Sequence, residues 1–177
     1  MIKNIGNCNN IINWDSIIQQ CENTVPEFVG PSHKRGDTVT GLDPILDMWD
    51  KAGYQLASNN GTVGWDMFIS GKQFDERILE TFANFYYIEI ENAWISRIHP
   101  GRFAPIHWDV NDNEDTIGDR PRWHCHIGKP SWGHIFIVED TCLYNQPQGQ
   151  TYKWNSRRAW HAGTNCGLTP KYILNLW

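Results

Sequence analysis

The sequence predicts an α+β fold, a helical first half followed by a compact β barrel or sandwich with helices on one outer face. Two observations predict it. Apolar residues recur at helical spacing before residue 86, and after it they fall in short runs separated by turn residues. A third observation places the chemistry. Of seven His, only His33 lies in the first half, and His99, His107, His124, His126, His134 and His161 all lie beyond it.

Each element has its own signal. Ile11, Ile12, Trp14, Ile17, Ile18 and Cys21 put apolar groups mainly on one helix face. Pro26, Gly30 and Pro31 interrupt the chain after this helix, and residues 31–41 read as an exposed loop. Asp43-Pro44 resembles a helix start, with a capping Asp and Pro in the first turn, and Ile45, Leu46, Met48 and Trp49 carry that helix to Gly53. Residues 57–64 read as loop. Gln73 to Phe85 is the strongest helix, because Phe74, Ile78, Leu79, Phe82 and Phe85 recur on one face. From residue 87, Tyr87 to Ile98 suggests strands, and further β-like runs cover 104–109, 122–127, 134–139, 151–154, 158–161 and 171–176. Turn residues divide them, among them Pro100-Gly101, Pro130 to Gly133 and Asn145 to Gly149.

Composition sets outer limits. The 177 residues suit one domain, and 40% hydrophobic content is enough for a core. No apolar run is long enough to span a bilayer. The opening MIKNIGNCNN lacks a basic stretch followed by an apolar one, so a cytoplasmic location is expected. A formal charge of −5 argues against broad binding to nucleic acid or to an anionic membrane. The five Cys form no Cys-x-x-Cys pair, which supports neither a zinc knuckle nor a disulfide framework. Asn60-Gly61-Thr62 matches a glycosylation sequon and reads as a turn. Ten Trp stand out, because indole buries a large flat surface and often lines small-ligand sites.

His107-Trp108-Asp109 is the sharpest local pattern. Residues i and i+2 of a strand share a face, so an imidazole and a carboxylate project side by side, about 6–7 Å apart at the backbone. Both can reach one metal ion, and His161, near the end of another short strand, is the late candidate for a third ligand. Two His and one carboxylate leave three positions open, the arrangement of non-haem Fe(II) oxygenases. A chelating cosubstrate takes two of these positions and dioxygen the third. Ten residues after His161, Lys171 opens the apolar run to Trp177. Either its stem snorkels from an edge strand, or its charge is buried against the far carboxylate of a dicarboxylate ligand.

With these residues in view, about the last half of the chain resembles the aspartyl/asparaginyl β-hydroxylase-like branch of the 2-oxoglutarate- and Fe(II)-dependent oxygenases, which includes bacterial proline hydroxylases. Ser96-Arg97-Ile98-His99-Pro100-Gly101, running to His107, is similar to the family's serine, His-Pro-Gly turn and first iron ligand. Arg122-Trp123-His124 is similar to its Arg-x-His strand. Tyr152 to Trp160 stands where the family leads into its last histidine, and His161, Asn165 and Lys171 resemble its ending.

The resemblance implies a double-stranded β-helix, or cupin-like jelly roll, with N-terminal helices packed outside. Residues 1–177 would form a single oxygenase domain, 1–86 as mainly helical support and 87–177 as the β-helix core. His107, Asp109 and His161 would bind Fe(II) and carry catalysis. Lys171 and Ser96 would hold the distal carboxylate of 2-oxoglutarate. Arg122 would hold a second carboxylate, of cosubstrate or substrate, with His124 beside it. The expected reaction is hydroxylation of an unactivated C–H bond by dioxygen, coupled to oxidative decarboxylation of 2-oxoglutarate. The substrate would be an amino acid, a peptide side chain or a related small polar molecule. Trp108, Trp123, Trp132 and Trp160 would form part of an apolar wall, and Arg97, Arg102, Arg157 and Arg158 could meet an anionic or zwitterionic substrate. The family usually has Arg where Lys171 stands, which exchanges a bidentate fork for a point charge. The acidic stretch Val110 to Arg120 reads either as a solvated loop or as a mobile lid near the metal that helps to choose a substrate. Two alternatives remain: a cupin-type metal enzyme that uses no 2-oxoglutarate, and a non-catalytic carbohydrate-binding jelly roll that would expose Trp on a flat face. The sequence sets no oligomeric state.

Overall fold

The computed structural model describes residues 1–30, 43–56, 61–109, 121–156 and 158–177. The expected loop at 31–41, the lid at 110–120, Asn60 of the sequon and Arg157 lie outside them. So do residues 57–60 of the expected 57–64 loop.

Eight strands build two facing antiparallel sheets. They are β4 (Ala93–Ile98), β5 (Phe103–His107), β6 (Arg122–His126), β7 (His134–Val138), β8 (Thr141–Tyr144), β9 (Gln150–Trp154), β10 (His161–Asn165) and β11 (Lys171–Leu176). One sheet holds β9-β6-β11-β4 in that order and the other β5-β10-β7-β8. Apart from the β7–β8 hairpin, the chain crosses from sheet to sheet as it advances, which is jelly-roll topology. Among the described residues, no helix is long and apolar enough to cross a membrane.

The first half is richer in strand than its helical spacing predicts. β1 (Lys3–Asn7) extends the larger sheet beyond β9. β3 (Trp65–Ile69) and β2 (Phe28–Gly30) extend it beyond β4. Among the described residues, three helices complete this half: α1 (Trp14–Glu22), α2 (Asp43–Lys51) and α3 (Arg77–Tyr86). Helix α1 starts at Trp14 because the Asn13 side chain accepts from the Ser16 amide at 3.1 Å and caps it. Helix α3 starts at Arg77 rather than Gln73, whose side chain instead accepts from the Ile69 amide at 2.7 Å. The expected 158–161 strand forms later, as β10. Its sequence His-Ala-Gly-Thr-Asn carries little β signal, and pairing on both edges makes it a strand.

Strand parity divides the larger sheet into two faces. Tyr172, Leu174, Leu176, Ile95, Trp123 and Cys125 join Trp14, Ile17 and Cys21 of α1 and Ile78 and Phe82 of α3 in one core. Ile173, Asn175, Trp177, Ser96 and Arg122 face the opposite way, into a cavity between the sheets. Gly133 (φ +90°) is required at the far end, where a Cβ would lie 2.3 Å from the Gly167 amide.

Candidate metal centre and its pocket

His107 ends β5 and His161 opens β10, and the two are direct cross-strand partners. Such partners hold their side chains close on one face, and these imidazole centroids are 4.3 Å apart. Asp109 stands two residues after His107 and reaches the same side. One ligand atom from each of the three lies within 4.8 Å of the others, so side-chain rotation alone can close them on one ion.

Local hydrogen bonds aim the two rings. His107 Nδ1 is 2.6 Å from the Pro105 carbonyl and His161 Nδ1 is 3.0 Å from the Ala159 carbonyl. A carbonyl only accepts, so each Nδ1 carries a proton, which leaves Nε2 as the ring atom available to a metal. Trp65 stacks on the His107 ring at 6.5 Å, and Trp49 meets its face edge-on at 5.7 Å. The Trp49 indole is fixed in turn by donating to the Ile106 carbonyl at 3.0 Å. Burial pushes the His107 ring down to about 4, reinforced by His161, so it stays neutral and ready to coordinate.

Arg122 explains how a carboxylate persists here. Burial alone would raise the Asp109 carboxyl, but His161 and the Arg122 guanidinium outweigh it and hold Asp109 below the usual carboxylate range. Arg122 Nε donates to Asp109 Oδ2 at 2.7 Å, and the guanidinium lies over the Trp177 ring at 4.4 Å. Asp109 Oδ1 is 3.6 Å from His161 Nε2, the spacing of two atoms awaiting a shared partner. A neutral His107, an ionised Asp109 and open space in front of them fit a divalent cation with free coordination positions.

The cavity has a volume of about 220 Å³, below the roughly 300–1,000 Å³ of drug-sized sites, so its ligands are small. Its floor is Ile98, Phe136, Gly163 and Ile173. Lys171 does not itself line the cavity; it is only 1% exposed and stands two residues before Ile173 on the same face of β11. A Cβ on Gly163 would come within 3.8 Å of its Nζ. The ammonium donates to the Ile135 carbonyl at 2.5 Å and sits 5.7 Å from the Phe136 ring. No carboxylate among the described residues pairs with it. Burial lowers it from the ordinary 10.5 to about 7.

Three buried imidazoles surround this lysine, and each keeps a ring nitrogen without a partner: His124 Nδ1, His126 Nε2 and His134 Nδ1. Burial first, and Lys171 with it, pushes His124 and His126 down, His126 to about 3. His124 stacks on Phe136 at 3.8 Å, beneath the cavity and beside Arg122 on the same strand face. Ser96 lines the cavity on the same face of the larger sheet as Lys171, and its hydroxyl accepts from Trp94 Nε1 at 3.1 Å and Asn175 Nδ2 at 3.0 Å.

The structure thus brings together His107, Asp109, His161, Arg122, Ser96 and Trp108 around one cavity, with Lys171 and His124 under it. It does not bring Trp123 there. Arg122 faces the cavity, so the next residue faces away, and Trp123 lies in the helix-side core with the Lys153 ammonium over it. Arg102 does not line the cavity. Arg97 is engaged with Asp66 at 2.6 Å and Glu22 at 3.1 Å, and Arg158 is exposed. Trp132 is 77% exposed on the turn before β7, away from the pocket. Trp160 meets Trp108 edge-on at 4.5 Å.

The indoles that do line the cavity with Trp108 are Trp49, Trp65, Trp94 and Trp177. Sequence reasoning missed these four, although parity could have found two. Trp94 stands two residues before Ser96, and Trp177 stands six after Lys171.

No protein-family model and no curated protein matches the chain. Among solved structures, a Pseudomonas putida prolyl-4-hydroxylase is similar at a TM-score of 0.46 and 13% identity, over 93% of this chain and 98% of that one. The viral collagen prolyl hydroxylase of Paramecium bursaria Chlorella virus-1, in a 2OG complex, gives 0.44 and 18%, over 77% and 87%. A 2OG-Fe(II) oxygenase family oxidoreductase from Burkholderia pseudomallei gives 0.41 and 17%, over 58% of this chain. The chain spans about half of that protein's length, 52%. Likeness at this level leaves the functional reading to the geometry of the site.

Proposed function

We propose that this protein is an Fe(II)- and 2-oxoglutarate-dependent dioxygenase that hydroxylates an unactivated C–H bond of an amino acid, a peptide side chain or a related small polar molecule. One observation carries the proposal. A metal-ready His-Asp-His cluster opens into a small cavity whose floor covers a buried ammonium with no acidic partner among the described residues. An unpaired charge at that depth costs several kcal/mol, and the distal carboxylate of a dicarboxylate cosubstrate is the partner that offsets it.

His107, Asp109 and His161 would hold the metal, with Lys171 and Ser96 at the distal end of 2-oxoglutarate. When bound, the iron, 2-oxoglutarate and dioxygen together supply the oxidising power that inserts oxygen into a C–H bond. The chain's own residues do the rest. The Pro105 and Ala159 carbonyls hold both imidazoles in the coordinating tautomer. Arg122 keeps Asp109 ionised and fixes its orientation. The indole wall excludes water, which protects a reactive centre from side reactions.

The jelly roll alone would equally suit a cupin that uses no 2-oxoglutarate, but such an enzyme has no use for an unpaired Lys171. A carbohydrate platform is disfavoured because most of the indoles are buried or line the cavity. The test is succinate release from 2-oxoglutarate by the Fe(II)-loaded protein in air. Release is expected from the native chain and not from His107→Ala or His161→Ala. Full release by either variant at normal iron content would overturn the ligand set.

A further inference from the structure

The chemistry of the cavity walls bears on the substrate itself, granted the dioxygenase reading. Trp49, Trp65, Trp94, Trp108 and Trp177 present indole surface to a small volume. Flat apolar surface of this kind selects a flat apolar body, because ring–ring contacts add to area burial.

Charge selects the other end of the substrate. Among the described lining residues, Arg122 is the only Arg or Lys and Asp109 the only Asp or Glu. They neutralise one another at 2.7 Å. Lys171 adds one positive charge below the floor, and coordinating imidazoles are neutral. A divalent metal and a dicarboxylate dianion cancel each other. One positive charge is left over in the loaded site.

Arg122 can meet the balancing anion. It is 4% exposed, with Nε committed to Asp109 and its face committed to Trp177. Its terminal nitrogens make no hydrogen bond to the described residues. A guanidinium held on one edge and one face presents its remaining edge rigidly, the geometry that receives a carboxylate with two parallel hydrogen bonds. Among the described lining residues a substrate ammonium finds no corresponding partner, because Asp109 is already bonded.

We infer that the substrate is a small monocarboxylic acid with an aromatic or similarly flat apolar body. Its carboxylate lies on the free edge of Arg122 and its body against the indole wall. This narrows the amino acids and polar molecules allowed above to acids without a free ammonium group.

The test compares phenylacetate with phenylacetamide, phenylethylamine and L-phenylalanine. Binding is read by quenching of Trp fluorescence in the metal-free protein. It is read again by the shift of the visible absorption of protein loaded anaerobically with Fe(II) and 2-oxoglutarate. Phenylacetate is expected to bind about tenfold or more tightly than each of the others, the scale of a charge-assisted hydrogen-bond pair. Arg122→Gln should erase that preference, and Trp94→Ala should weaken phenylacetate while leaving the preference for acid over amide. Equal affinity for acid and amide, tighter binding of either amine, or a preference that survives Arg122→Gln would overturn the inference. Absence of the visible absorption would overturn the dioxygenase reading instead, and the metal-free titration would still decide the substrate class.

Discussion

The two ends of the barrel interior are built on opposite principles. At the metal end, backbone carbonyls aim His107 and His161 and Arg122 Nε holds Asp109, which leaves only the outer edge of Arg122 open. At the deep end, Lys171, His124, His126 and His134 share one region with no acid among them and three ring nitrogens unpartnered. A self-satisfied cluster is preorganised and needs only the ion, whereas an unsatisfied cluster is stabilised by its ligand. The metal end is therefore expected to be insensitive to cosubstrate, and the deep end strongly sensitive to it.

The largest expected effect breaks the metal end. His161→Ala should lower Co(II) affinity by more than the ~10–100-fold that loss of a supporting hydrogen bond costs, measured by calorimetry. The fold should persist, since the largest core cluster lies on the other face of the larger sheet.

Next comes Lys171→Met, which separates binding from stability. The 2-oxoglutarate requirement should rise roughly 10–100-fold, because one charged hydrogen-bond partner is lost. The ligand-free variant should nevertheless melt higher than the native chain, because a buried unpaired charge is gone. The lowered lysine also sets a pH dependence. Between about 7 and its ordinary 10.5, the unfolded chain binds more protons than the folded one at this residue. Its contribution to stability is therefore present at high pH and is lost as pH falls toward 7. Thermal melts across that window should show this slope in the native chain and not in Lys171→Met, and saturating 2-oxoglutarate should flatten it.

A smaller effect is expected at Gly163, the floor between the two ends. A Cβ there would make ordinary contact, 3.4 Å from Ile98 Cδ1 and 3.8 Å from Lys171 Nζ, so Gly163→Ala should fold. It narrows the approach to Lys171 by one methyl group. An increase of roughly tenfold in the 2-oxoglutarate requirement is expected, with metal affinity unchanged.

The contrast between ends was partly legible in the sequence. His107-x-Asp109 was readable because strand parity needs only two residues. His161 was not readable from spacing alone, since its cross-strand register with His107 depends on the path of the chain between them. Lys171 stood out because a cation in an apolar run demands a reason. The deep imidazoles His126 and His134 carried no pattern that separated them from core histidines. Trp123 was misassigned by its neighbourhood to Arg122, where parity reverses the side. Strands β1 and β3 were hidden for a different reason. Both are completed by partners far along the chain, β9 and β4, and propensity cannot report such pairing.

The smallest effect rests on that same parity. Trp123→Phe should change metal and 2-oxoglutarate affinity less than about twofold, while lowering stability by about 1 kcal/mol in a denaturant titration. A large functional effect would place Trp123 on the cavity side after all.

One chain-built site would hold a metal at one end and a dicarboxylate at the other. Anaerobic titration of 2-oxoglutarate into the Fe(II)-loaded protein, followed by the weak visible absorption of the iron–oxoacid chelate, tests it most directly. A saturable band is expected in the native chain, no band in His161→Ala, and a band in Lys171→Met only at much higher 2-oxoglutarate. No band in the native chain, or identical titrations for the native chain and Lys171→Met, would contradict it.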